Sequence, residues 1–191
     1  MKHTWLLVVL FLMVNSLYSQ DKFEKESRIK SSEVSMKATD YVESIFSGSQ
    51  KIKWYLEENL EGMAVEAKIK ENRTIYSIKF DTLGNLQDIE FIQRFDQLPI
   101  RAQQKITDYF QGNYDRYKIR KIQIQWIGDA NLLRSVLLKE TQSQQYEVNY
   151  EIVFSGRKDG DRQSYEAIFS DTGEHIKTKK IISRNLNHLI Y

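Results

Sequence analysis

The feature that most limits what this chain can fold into is that it repeats itself. Thr39-Asp40-Tyr41, Ile52-Lys53-Trp54 and Ile78-Lys79-Phe80-Asp81 with Gly84 return as Thr107-Asp108-Tyr109, Ile124-Gln125-Trp126 and Ile168-Phe169 with Asp171 and Gly173. Each copy runs from a helix-like segment through a Trp-bearing strand to strands closed by an Asp/Gly turn. Self-similarity of this kind marks one supersecondary unit used more than once. It predicts an α+β chain of two tandem repeats, each a helix packed on a roughly four-stranded antiparallel sheet. The offset between copies is 68 residues at Tyr41/Tyr109 and 89 at Phe80/Phe169, so the second copy is longer. Most of the surplus falls at about 127–144, with a share assigned to an enlarged, flexible hairpin at 156–160.

Local patterns fill in the elements. Val34, Ala38, Tyr41, Val42, Ile45 and Phe46 recur at three- and four-residue spacing, an amphipathic helix over 31–46 capped by Ser31 or Ser32 and stopped by Gly48. Ala102, Ile106, Tyr109 and Phe110 repeat that stripe behind Pro99, a residue favoured in a first helical turn. Met63, Val65, Ala67 and Ile69, then Thr74, Tyr76, Ile78 and Phe80, alternate with polar neighbours across a tight turn at Asn72-Arg73. Tyr146, Val148, Tyr150, Ile152 and Phe154 do the same. A period of two with one polar face predicts antiparallel sheet covered on one side. The alternation breaks between Ile119 and Ile122, which predicts a bulge near Arg120-Lys121. Leu132, Leu133, Val136 and Leu137 read as a short helix capped by Asp129, either a lid on its own sheet or an apolar docking element. Trp54 and Trp126 hold equivalent places and are both expected in a core.

Residues 1–20 have a basic start, an unbroken apolar run from Trp5 to Val14 and a small, polar end at Ser19. That is the form of a secretory signal peptide and is shorter than the roughly 20 apolar residues of a membrane span. No membrane span is expected after its cleavage, and the expected location is periplasmic or secreted. The chain has no cysteine. Thiol nucleophiles, thiolate metal sites and disulfides are thereby excluded, and stability must come from burial. Removing Lys2 with the signal leaves 27 basic against 26 acidic side chains. That near-neutrality argues against a nucleic-acid partner.

In sequence order, the helix ending near Tyr41 and Phe46, Trp54 and the Ile78–Gly84 hairpin, then Leu98-Pro99, Tyr109, Trp126, Tyr146-Glu147-Val148 and the Phe169–Gly173 hairpin, resemble PepSY-like domains of exported Bacteroidetes-type proteins. Those are similar in fold to the β-lactamase inhibitor protein, itself a tandem repeat. The resemblance covers roughly 31–183. It implies a non-catalytic binding or inhibitory role in the cell envelope, and no contact residues carry over. The domain reading is a signal peptide (1–20), a mobile lead-in (21–30), a first repeat (31–95), a second repeat (96–183) with its insertion, and a C-terminal tail (184–191).

No catalytic constellation, metal site or cofactor site emerges. His175 and His188 lack ligand spacing, and His175 follows Glu174 on a strand, where neighbours face opposite ways. The many strand carboxylates read as a solvated face. The protein is expected to be no enzyme but a module binding a protein or envelope component through the outer faces of its sheets. Those faces carry Tyr55, Glu66, Lys68, Lys79, Glu90, Gln125, Glu147, Asn149, Glu151 and Glu166. The alternative is a small-molecule carrier with a pocket between helix and sheet, lined by Tyr41, Tyr76, Tyr109 and Tyr150. A hydrolase using His175 is a third, weaker reading.

Overall fold

The computed structural model describes residues 21–182 apart from 23, 47–50 and 61. The signal segment, Gly48, His188 and the 184–191 tail lie outside the described residues. The strands are β1 (Asp21–Lys22), β2 (Glu24–Ile29), β3 (Lys53–Asn59), β4 (Gly62–Glu71), β5 (Thr74–Asp81), β6 (Leu86–Ile92), β7 (Arg116–Ile127), β8 (Glu147–Lys158), β9 (Asp161–Ser170) and β10 (His175–Ile181). Three α-helices accompany them: α1 (Met36–Ile45), α2 (Ile100–Asn113) and α3 (Ala130–Leu137).

The expected pair of separate four-stranded units is not what forms. All ten strands belong to one sheet in the order β1-β10-β9-β8-β7-β6-β5-β4-β3-β2. The junction is β6 against β7, antiparallel from Ile89↔Trp126 to Ile92↔Gln123. The physical reason is that two four-stranded sheets ending at β6 and β7 would each leave a row of unpaired backbone groups there. Pairing the two edges satisfies both and fuses the halves.

The sheet then closes on itself. β2 lies antiparallel to β3 from Ile29↔Trp54 to Glu24↔Asn59. β1 lies parallel to β10, with Asp21↔Lys180 and Lys22↔Ile181. One residue separates β1 from β2, so the Cα atoms of Lys22 and Glu24 are at most about 7 Å apart. The two ends of the strand order therefore meet, and the lead-in read from sequence as mobile is the closing strand of a barrel.

The apolar face points outward beneath the helices, in two clusters. Val42 of α1 packs with Trp54, Ala67, Ile78, Phe80 and Ile89 of the sheet. Ile106 and Phe110 of α2 pack with Ile152, Phe154, Ala167 and Phe169 of the sheet. Ser35 caps α1, its Oγ accepting from the Ala38 N–H at 3.3 Å. The 31–33 segment is a separate short 3-10 turn. Gly84 and Gly173 both hold φ of +83°, each against the start of a helix. An added Cβ at Gly173 would sit 2.7 Å from the Ala102 backbone, while at Gly84 it would first meet the Ser35 hydroxyl.

Three local expectations need correction. Trp126 is only partly buried, and it packs on the first cluster beside Phe91 and Tyr146 rather than centring the second. The second cluster is built on phenylalanines instead. α3 is capped as expected, Asp129 Oδ1 accepting from the Asn131 and Leu132 N–H groups at 3.0 Å. It packs away from the second cluster: Leu133 enters the first one, and the Tyr41 hydroxyl donates to the Ala130 carbonyl at 2.9 Å. Finally, β8 and β9 pair as far as Lys158↔Asp161. The 156–160 loop is a two-residue turn with Asp159 and Gly160 at φ 52° and 88°, the geometry a tight hairpin demands. The register shift between Ile119 and Lys121 falls where the alternation breaks.

Candidate functional site

With the apolar face outside, the alternating polar residues have nowhere to go but inward. The residues expected on outer, solvated faces share one face, and that face lines the lumen. Glu66, Glu90, Asn149, Glu151 and Glu166 are only 5, 6, 4, 7 and 6 % exposed. Tyr55, Lys68, Lys79 and Gln125 are half-buried, and Glu147 alone is exposed. The carboxylates read as a solvated face are instead the interior of the barrel, because closure brings the strands' polar sides around a common axis.

Burying this many charges requires that they be paired and hydrogen-bonded. Lys79 on β5 reaches past β4 to Glu57 on β3, Nζ to Oε2 2.9 Å. Asn59 Nδ2 donates to the other Glu57 oxygen at 2.9 Å. Lys22 reaches past β10 to bond Glu166 on β9, and holds Glu24 at 2.8 Å. Lys68 pairs with Glu26 at 2.8 Å and Glu66 at 3.0 Å, and lies over the Tyr55 ring. Amides complete the ring: Gln123 Nε2 donates to Glu90 at 2.6 Å, Gln125 to Asp88 at 3.0 Å and Asn149 to Glu147 at 2.6 Å. Contacts that skip a strand are possible only on a concave face.

The carboxylates outnumber what the lysines neutralise, and their ionisation shows it. Burial, with Glu151 close by, raises Glu166 to about 7 against the pull of Lys22. Burial raises Asp88 to about 6 although Lys79 opposes it. Burial and the neighbouring Glu151 and Asp88 hold Glu90 well above the usual carboxylate range. Glu57 goes the other way: burial opposes its charge, but Lys79 and Asn59 outweigh it and keep it below the usual value. For Lys79 burial likewise works against the charge, and Asp88, Glu57 and Glu90 overcome it, so the ammonium is held more firmly than usual. Glu151, Glu166 and Glu24 do the same for Lys22.

At one end the lumen opens into a cavity of about 190 Å³ lined by Lys22, Glu57, Lys79, Asp88, Glu151 and Glu166 among others. Asp88 Oδ1 and Gln123 Oε1 have no hydrogen-bond partner among the described residues. Sequence reasoning missed Lys22, Glu57, Asp88 and Gln123 as members of this set. Strand parity with Tyr55, Glu90 and Gln125 was the available signal for Glu57, Asp88 and Gln123; nothing local marks Lys22.

Elsewhere the titratable groups serve structure. His175 stacks on Tyr109 with ring centroids 4.2 Å apart and bonds the Thr178 hydroxyl at 2.9 Å. Burial lowers its pKa. Glu174 pairs instead with Lys105. Among the described residues no three His, Asp or Glu side chains converge in ligating geometry. Of the tyrosines named for a helix–sheet pocket, Tyr41 and Tyr150 donate to backbone carbonyls and Tyr109 pairs with Thr178. Tyr76 lines a cleft of about 260 Å³ with Phe46 and Leu137.

No known family and no curated protein matches the sequence. Solved structures do match in shape. A DUF2874 family protein from Bacteroides ovatus superposes with a TM-score of 0.53 at 10% identity, over 77% of this chain and 87% of its own. A BLIP-like protein from Bacteroides fragilis does so with a TM-score of 0.50 at 14% identity, over 81% and 92%. The fold is BLIP-like, which is the coarser half of the resemblance seen in the sequence. None of the described helices is long and apolar enough to cross a membrane.

Proposed function

We propose that this chain is an exported, non-catalytic binding module, PepSY-like in ancestry, that recognises a protein or another component of the cell envelope. One observation carries this reading: the barrel leaves the ends of its strands as the places where a partner can meet the sheet. The helices cover the outer face and paired charges fill the inner one. The most prominent of those ends is a three-stranded tongue. β7 leaves β6 beyond Ile122, and among the described residues β9 has no β10 partner before Tyr165, yet β7, β8 and β9 stay paired out to Arg116↔Arg157↔Arg162. Tyr114, Tyr117, Phe154 and Tyr165 stack beneath it and tie it to α2 through Phe110. Rigid presentation of this kind lowers the entropy cost of association. The BLIP-like neighbour supports a binding role, as does the sequence resemblance to exported proteins. Immobilised mature chain, passed over envelope extract, should retain a defined protein or polymer more strongly than a heat-denatured control. Equal retention would sink the proposal.

A second reading is favoured by the lumen. A cavity with an excess of carboxylates and an unpaired acceptor oxygen on Asp88 suits a small ammonium-bearing ligand, which would make the protein a carrier with its site inside the barrel. Native mass spectrometry of freshly purified protein separates the two: a co-purifying small molecule favours the carrier.

A further inference from the structure

At the tip of the tongue, like charges are set side by side. Arg116 on β7 stands directly opposite Arg157 on β8, and Arg157 directly opposite Arg162 on β9. Cross-strand partners share a face, so three guanidinium groups form one row. Lys118 lies two residues along β7 on the same side, opposite Ser155. All four cations are exposed. Like charges in directly opposed positions destabilise a sheet, and here no described carboxylate pairs with them. None of the four forms an ion pair with another described residue. The Nε of Arg157 donates to the Gly160 carbonyl at 3.2 Å and that of Arg162 to the Ser155 hydroxyl at 2.9 Å, bonds that orient the forks without neutralising them. Asp161 pairs with Lys158, which strand alternation puts on the opposite face. Outside the described residues the one acidic side chain is Glu61, which lies between β3 and β4 in sequence.

The row borders a cleft of about 370 Å³ lined by Arg116, Lys118, Ser155, Arg157 and Arg162. It lies on the same face of β8 as Glu151, six residues or about 20 Å further along. One face of one strand thus passes from an acidic, closed lumen to a basic, open lip.

Building on the binding reading above, we propose that the Arg116–Arg157–Arg162 row with Lys118 is the contact site for an acidic polypeptide segment of the partner. Guanidinium forks take carboxylates bidentately. Adjacent strands lie about 4.8 Å apart, and carboxylates three or four residues apart on a helix are spaced by about 5–6 Å. A linear row at strand spacing matches a series of singly charged groups better than one compact oxyanion, which calls for a converging cup. The cost of opposed like charges is relieved when the segment binds.

The test uses the mature chain at low salt and a short helical peptide bearing glutamates at four-residue spacing, with inorganic phosphate and a sulfated oligosaccharide as competing probes. The peptide should bind, and Arg157→Glu should weaken it at least tenfold. The same substitution places an anion between two cations and should raise the thermal midpoint by about 2 °C. Arg116→Gln and Arg162→Gln, milder changes, should each weaken binding several-fold with circular dichroism unchanged. Absence of peptide binding, equal binding by the variants, tighter binding of phosphate or the oligosaccharide, or a lowered midpoint for Arg157→Glu would each overturn the assignment. If the Arg157→Glu bait still retains the envelope component held by the wild type, the arginine row falls while the binding module stands.

Discussion

The two faces of this sheet are made by the same strands and held by opposite means. Outside, Phe80, Phe154 and Phe169 of the sheet and Phe110 of α2 are fully buried between sheet and helices, and dispersion and the hydrophobic effect do the holding. Inside, lysines and amides hold carboxylates that would otherwise repel. Apolar packing depends little on solution conditions. A crowded set of acids does, because each protonation changes what its neighbours feel. One barrel wall therefore carries a part of its stability that is fixed and a part that titrates.

The largest effects separate the faces directly. Phe110→Ala should cost about 3–5 kcal/mol in chemical denaturation, equally at pH 5 and pH 8. Lys79→Met should cost about 3–5 kcal/mol at pH 8, where it strands Asp88, Glu57 and Glu90 in the lumen. The cost should shrink at pH 5 as Asp88 and Glu90 take up protons. Equal costs at the two pH values would show the lumen to be electrostatically ordinary.

The outer face can be probed next at its glycine turns. Gly173→Ala combines a positive φ with overlap on the Ala102 backbone, which cannot swing aside. It should cost about 2–3 kcal/mol. Gly84→Ala carries the same φ against the movable Ser35 hydroxyl and should cost about 1–2 kcal/mol. A reversed order in thermal melts would overturn that account of the two turns.

Smaller still is the native pH slope. Glu166 and Asp88 have folded-state values raised to about 7 and about 6. Between the ordinary carboxylate range and those values the folded chain holds more protons than the unfolded one, so stability falls as pH rises through that window. Glu57, lowered, works the other way and loses its contribution only in more acidic solution. Glu166→Gln should flatten the decline between about pH 4.5 and 7, by on the order of 1–2 kcal/mol. An unchanged slope would assign it to other groups. The smallest effect belongs to the α1 cap: Ser35→Ala should cost about 1 kcal/mol at any pH.

Much of this molecule was legible in the sequence, and the failures have physical causes. The α1 and α2 stripes, the Asn72-Arg73 turn and the bulge beside Arg120 follow from local periodicity and turn chemistry, which neighbouring residues determine. The Asp129 cap was legible for the same reason. The fusion of β6 with β7 depends on two edges far apart in sequence finding each other, and no local pattern announces it. Closure was invisible because β1 is two residues long and its charged neighbours look like a solvated leader. The polar face was grouped correctly, Tyr55 through Glu166, but a period of two says only that residues share a side. It cannot say whether that side curls outward or in. Trp126 misled because its place in the repeat matches Trp54, while α3 and Tyr146 draw it to the other cluster.

The closing strand has one more consequence. Its partner β3 leaves the ribosome soon after it, but its other partner, β10, is the last strand described. The sheet therefore cannot become edgeless until β10 has been made. A polypeptide cut short before His175 would keep two raw margins, and such margins recruit strands from other chains. The first residues of the barrel are the last to be fully seated, and a bulky tag joined just ahead of Asp21 would act at that late step rather than at the surface around it.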